Sequence, residues 1–137
     1  MPSPWDFNRQ AVILTVDDDQ DNLMLLGYQL SLLLPCSVLT AIDGQSALRL
    51  AKQSLPNLIF LDIMLPDMDG FEIVSQLRQD PQTQEIPVIA VTAMARLQDQ
   101  ETAFRAGYDG YLLKPYELES LEVLIYHYLN MAYPLSS

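Results

Sequence analysis

Two kinds of segment alternate along the chain: short runs dense in Val, Ile and Leu, and longer stretches in which apolar residues return at helical intervals. The short runs cover 12–16, 37–41, 58–63, 88–92 and 111–113. Those starting at 12, 58 and 88 are apolar almost throughout, which is the pattern of strands covered on both faces of a parallel sheet. Leu23, Leu26, Leu30 and Leu33 fall on one helical face, and Leu118, Leu121, Ile125 and Tyr128 do the same near the end. Residues 44–53, 69–79 and 99–106 supply three more helices, punctuated by Asp43-Gly44, Pro66, Asp80-Pro81 and Gly107. The chain therefore reads as five strand–helix pairs: an α/β fold, doubly wound, with helices on both faces of one parallel sheet.

With 137 residues, half of them hydrophobic, the chain has enough apolar material for one domain and not for two. The domain is expected over 11–131, with an N-terminal extension at 1–10 and a C-terminal tail at 132–137. A net charge of -11 with only seven Lys and Arg excludes a phosphate-backbone footprint, so direct DNA binding is not expected. The single cysteine, Cys36, has no partner for a disulfide or a zinc site and reads as a small apolar filler opening the second strand. No secretory leader and no apolar run near ~18 residues is visible, so the reading is a cytoplasmic chain with no membrane contact.

In an open parallel α/β sheet every strand ends at the same edge, and ligands bind there. Following each apolar run forward reaches Asp17, Asp18 and Asp19 after the first, Asp62 at the third, Thr92 at the fourth and Lys114 at the fifth. Carboxylates gathered in this way repel one another unless a cation or a lysine joins them. Hard oxygen ligands suit Mg²⁺, a lysine suits phosphate oxygens, and a threonine hydroxyl adds a donor. Together they make the parts of a phosphoryl-transfer site with a carboxylate nucleophile.

The stretches VILTVDDD, LIFLDIMLPDMDG, VIAVTA and GYLLKP, in this order, resemble a response-regulator receiver domain (CheY-like, of the stand-alone type) from Ala11 to about Met131. The resemblance implies a flavodoxin-like strand order 2-1-3-4-5. It implies that Asp17 and Asp18 hold Mg²⁺, with Asp18 the direct ligand, that Mn²⁺ can substitute, and that Asp62 is both ligand and phosphoacceptor. Met64 would offer its backbone carbonyl to the metal. Thr92 would bond a phosphoryl oxygen and shift on activation, Lys114 would pair with phosphate or acceptor, and Tyr111 would be the switching aromatic. Ala93 would leave access to the acceptor, and the Lys114–Pro115 peptide would be cis. By the same resemblance Met64 and Met94 overhang the approach of water to the acyl phosphate, and neither can orient a water, so a long-lived phosphorylated form is expected. The implied partners are a sensor histidine kinase or phosphotransfer protein, an output protein, and a homodimer through the fourth helix, fifth strand and fifth helix. The last helix carries Val123, Leu124, Tyr126 and Tyr128 beside its core stripe, more apolar surface than one buried face needs.

Other readings are weaker. Asp17, Asp19 and Asp21 mimic the start of an EF-hand loop, but Asn22 stands where Gly is wanted and Tyr28 where Glu is wanted. A haloacid-dehalogenase-type phosphatase would use Asp17 and Asp19, yet Asp21 breaks its pattern. A pseudo-receiver that docks partners without phosphorylation would have lost an acid, the acceptor or the lysine. His127 reads as a helix-end residue, and Met24, Met64, Met68, Met94 and Met131 as core or edge fillers.

Overall fold

The computed structural model describes residues 10–131, so the tail at 132–137 and all but the last residue of the extension lie outside the described residues. The element order is β1 (Ala11–Val16), α1 (Gln20–Leu33), β2 (Cys36–Ala41), α2 (Gly44–Ser54), β3 (Leu58–Leu61), α3 (Gly70–Gln79), β4 (Val88–Thr92), α4 (Leu97–Ala106), β5 (Gly110–Leu113) and α5 (Leu118–Tyr128). All pairings are parallel, in the order β2-β1-β3-β4-β5.

Period-two alternation divides the inner strands between two cores. Leu14, Val16, Ile59, Leu61, Val88 and Ala90 face a cluster closed by α2, α3 and α4. Ile13, Leu58, Phe60, Ile89 and Val91 face the other, closed by α1 and α5. Phe60 and Ile89 are fully buried, and each such side chain contributes about 1.5–3 kcal/mol through removal from water. Local chemistry starts three helices: Asp19, Asp43 and Asp69 accept from backbone N–H groups in the first turns of α1, α2 and α3.

Several expectations are modified. The third apolar run ends as a strand at Leu61; Ile63 is buried in the loop beyond. Leu124 and Tyr128 pack against the α1/α5 core, and the Tyr128 hydroxyl donates to the Asp109 carbonyl at 2.7 Å, so the final helix leaves less apolar surface than its composition suggested. Met24 and Met64 are exposed, whereas Met68, Met94 and Met131 pack against the cores. On α1, Met24, Leu25, Tyr28 and Leu32 form an outward apolar stripe beside the buried one. Cys36 opens β2 partly buried, and burial pushes its thiol up, away from reactivity. His127 lies in the last turn of α5, edge-on to Tyr128.

Candidate functional site

Parallel register builds the site. Val16 pairs with Leu61, so Asp17 and Asp62 leave adjacent strands at one level. Thr92 pairs with Leu113, which places Lys114 next in line on the same edge. The ammonium of Lys114 donates to Asp17 Oδ2 at 2.7 Å and to Asp62 Oδ2 at 3.2 Å. Asp17 also accepts from the Asp19 amide at 3.0 Å and from Asn22 Nδ2 at 3.3 Å. Asp62 accepts from the Met64 amide at 3.3 Å. Asp17 and Asp62 are buried, and Asp18 stands exposed at the rim.

One carboxylate oxygen from each of Asp17, Asp18 and Asp62 lies within 4.8 Å of the others. Three carboxylates against one ammonium leave the pocket net negative. Clustered oxygen donors, one of them open to solvent, fit a hard divalent cation such as Mg²⁺, which uses few protein carboxylates and keeps waters. The electrostatics agree. Burial foremost pushes the Asp62 carboxyl above its ordinary value; Lys114 and the Met64 N–H oppose this, while the Asp17 charge adds to it. Burial works against the charge on Lys114, but the Asp17 hydrogen bond and the Asp62 and Asp17 charges outweigh it and hold the lysine above its usual value.

Thr92 is buried, and its Oγ1 accepts from the Met94 amide at 3.3 Å. The Met94 carbonyl in turn accepts from the Tyr111 hydroxyl, so Thr92, Met94 and Tyr111 form one connected path from the site into β5. Ala93 is exposed, and the Lys114–Pro115 peptide is cis. Met64 is 67 % exposed, whereas Met94 packs half-buried on the core, so Met64 has the freer side chain of the two. Asp19 is spent on the α1 cap, accepting from Asp21 and Asn22 amides, which removes it from the phosphatase role its spacing suggested.

Two contributors were not visible in the sequence. Asp67 accepts from the Gly44 amide at 2.8 Å and the Gln45 amide at 3.1 Å, tying the loop after β3 to the start of α2 across more than twenty residues. Asn22, which the sequence presents only as a failed EF-hand position, reaches back to Asp17.

Comparison with known proteins agrees with this geometry. Residues 13–126 match the response regulator receiver domain family. An uncharacterized 14.6 kDa protein of the sodA1 3′ region in Leptolyngbya boryana is 38% identical over 125 residues, covering 91% of this chain and 94% of that protein. The DNA-binding dual master transcriptional regulator RpaA of Synechocystis is 40% identical over 116 residues; the match covers 80% of this chain but 45% of the regulator. Among solved structures, the receiver domain of the sensor histidine kinase PA1611 from Pseudomonas aeruginosa superposes with a TM-score of 0.81 at 29% identity, covering 88% of this chain and 98% of that one. That structure has a magnesium ion coordinated in its active-site cleft.

Proposed function

The chain belongs to the response regulator receiver domain family of two-component signal transduction, and we propose that it accepts a phosphoryl group on Asp62 from a phosphohistidine donor and so switches the binding of a partner. Receiver domains work with histidine kinases or phosphotransfer proteins, and one of these is the donor in this reading. The observation that carries the assignment is the convergence of Asp17, Asp18, Asp62 and Lys114 at one sheet edge.

An Asp62 carboxylate oxygen attacks phosphorus, the donor's N–P bond breaks, and the imidazole leaves, so the carboxylate becomes an acyl phosphate. Asp17, Asp18, Asp62 and the Met64 carbonyl would hold Mg²⁺ or Mn²⁺, which when bound supplies charge neutralisation at the phosphoryl oxygens. Lys114, already on Asp62 Oδ2, transfers a donor to a phosphoryl oxygen. The Thr92 hydroxyl turns to another, and because Met94 links Thr92 to Tyr111, that turn is passed to β5. Ala93 and Pro115 line the cleft beside Asp17 and Lys114. This chemistry is done on the chain itself, in the cytoplasm, and not by turnover of a separate ester. No acid, acceptor or lysine is missing, which weighs against a pseudo-receiver.

The output surface in this proposal is α4, β5 and α5, where Leu97, Phe104, Leu113, Leu118 and Val123 remain exposed. It would receive an output protein or a second copy; the shortage of basic residues argues against DNA as the direct target.

The test is incubation with acetyl phosphate and Mg²⁺, followed by intact mass, site mapping and sedimentation. One phosphoryl group on Asp62 is expected, with a shift toward dimer. Label on Asp67 or Asp69, both engaged on helix amides, would overturn the acceptor; an unchanged monomer would remove the homodimer. The label should also be long-lived, with Met64 closing one approach of water. Met64→Asn should quicken its decay severalfold, and Met94→Glu less, because Met94 is already turned to the core. Decay no faster than the wild type's, in either variant or in the two combined, would reject the shielding role.

A further inference from the structure

Among the described residues, the Tyr108 hydroxyl is the buried side-chain polar atom with no hydrogen-bond partner. A buried hydroxyl left unpaired costs free energy, so natural proteins rarely keep one without a use. Its mounting is firm. The Tyr108 amide donates to the Ala103 carbonyl at 3.0 Å. On either side of it, Arg78 binds the Gly107 carbonyl at 2.8 Å and Asp109 Oδ2 at 2.6 Å, and the ring stands edge-on against Phe71. The hydroxyl is thereby aimed at the back of the acceptor loop. A Cβ added to Gly70 would lie 2.1 Å from it, 2.7 Å from the Asp62 carbonyl oxygen and 2.8 Å from Ile63 Cα, so hydroxyl and carbonyl close on the same spot, the one a side chain at residue 70 would take. Only glycine at residue 70 leaves the hydroxyl room to sit there. The Gly70 amide already holds the Ile63 carbonyl at 2.6 Å, which leaves the Asp62 carbonyl as the acceptor facing Tyr108.

We propose that Tyr108 is a positioning residue whose hydroxyl, unpaired at rest, closes on the Asp62 backbone carbonyl when the acceptor carries its phosphoryl group. Phosphorylation roughly doubles the negative charge on the Asp62 side chain, and a donor behind the backbone is stabilised by that added charge. The proton remains in place to be donated, because burial foremost, and then the Asp62 and Asp69 charges, hold the phenol well above its ordinary value. The hydrogen bond would then contribute to the switched state alone, which is the condition for shifting an equilibrium between two states.

This inference rests on Asp62 being the acceptor, and Tyr108→Phe tests it with beryllofluoride and Mg²⁺ as the phosphoryl mimic. The ring and its packing are retained. Without the mimic the variant should unfold at the same or a higher temperature, since the unpaired hydroxyl is gone. Its affinity for the mimic should fall roughly threefold to tenfold, the equivalent of one hydrogen bond. A lower unfolding temperature at rest would overturn the proposal by showing that the hydroxyl is already bonded, and so would an unchanged affinity. Wild-type protein that takes up no beryllofluoride would instead overturn the reading of Asp62 itself, and Tyr108 with it.

Discussion

Asp62→Asn is expected to take no phosphoryl group from acetyl phosphate and, in metal-free buffer near neutrality, to unfold at a higher temperature than the wild type. The first effect follows because an amide keeps the shape of the carboxylate without its nucleophilic oxygen. The second follows from the site's electrostatics. The folded-state pKa of Asp62 is raised above its unfolded value, by burial first and by Asp17 in the same direction, against Lys114. For a carboxyl raised in this way, the fold favours the protonated form, and stability is lost as pH rises from the unfolded value through the folded one. At neutrality the wild type therefore carries the whole cost of an ionised Asp62, and the asparagine variant carries none. Below about pH 3.5, under the ordinary aspartate value, both side chains are neutral and the gap should close. Thermal unfolding across that range reads the difference directly. A variant less stable at neutrality would mean that the Lys114 attraction exceeds the cost of burial.

What the sequence could and could not reveal divides along physical lines. Strands β1, β3 and β4 were legible because two-sided burial writes itself as continuous Val, Ile and Leu, and the edge residues Asp17, Asp62, Thr92 and Lys114 because parallel topology sends every strand's end to one place. Strand order came from the motifs, as did the roles expected of individual residues, since nothing in periodicity fixes neighbours. Side-chain reach was the blind spot. Asp67 looks like any loop acid until the α2 amides are seen against it, and Tyr108 looks like a strand-start aromatic until its hydroxyl is found at Gly70. Surface allocation was the other: α1 is apolar on more than one face, so its pattern named the buried Leu23, Leu26 and Leu30 correctly and concealed the exposed Met24, Leu25, Tyr28 and Leu32. On α5 the error ran the opposite way for Leu124, which lies on the shoulder of the stripe and is drawn into the core, while Leu118 at the start of the stripe stays exposed.

Lys114→Ala should show how much of the resting site depends on a single cation. The ammonium bridges two buried carboxylates at 2.7 and 3.2 Å, and its side chain is 22% exposed. Removing one partner of a buried ion pair costs about 3–5 kcal/mol, and partial solvent access lowers the expectation here to about 2–3 kcal/mol in metal-free buffer. The pH dependence has a definite sign. The folded pKa of Lys114 is raised above its unfolded value, so its contribution is complete below the ordinary lysine range and is lost only as pH climbs through the folded value. The gap between wild type and variant should thus hold through neutrality and shrink at strongly alkaline pH. Mg²⁺ should restore much of the loss, because a divalent cation held among Asp17, Asp18 and Asp62 would replace the missing positive charge; the variant should bind it more tightly than the wild type, in which Lys114 already occupies two of these carboxylates. Calorimetric titration and unfolding with and without Mg²⁺ measure both quantities, and Asp18→Ala provides the control, since removing the rim carboxylate should abolish the metal response in either background. A Lys114→Ala protein whose unfolding temperature responds to Mg²⁺ no more than the wild type's would mean that the ammonium and the metal do not compete for these carboxylates. The lysine would then hold Asp17 and Asp62 in place without standing in for the ion.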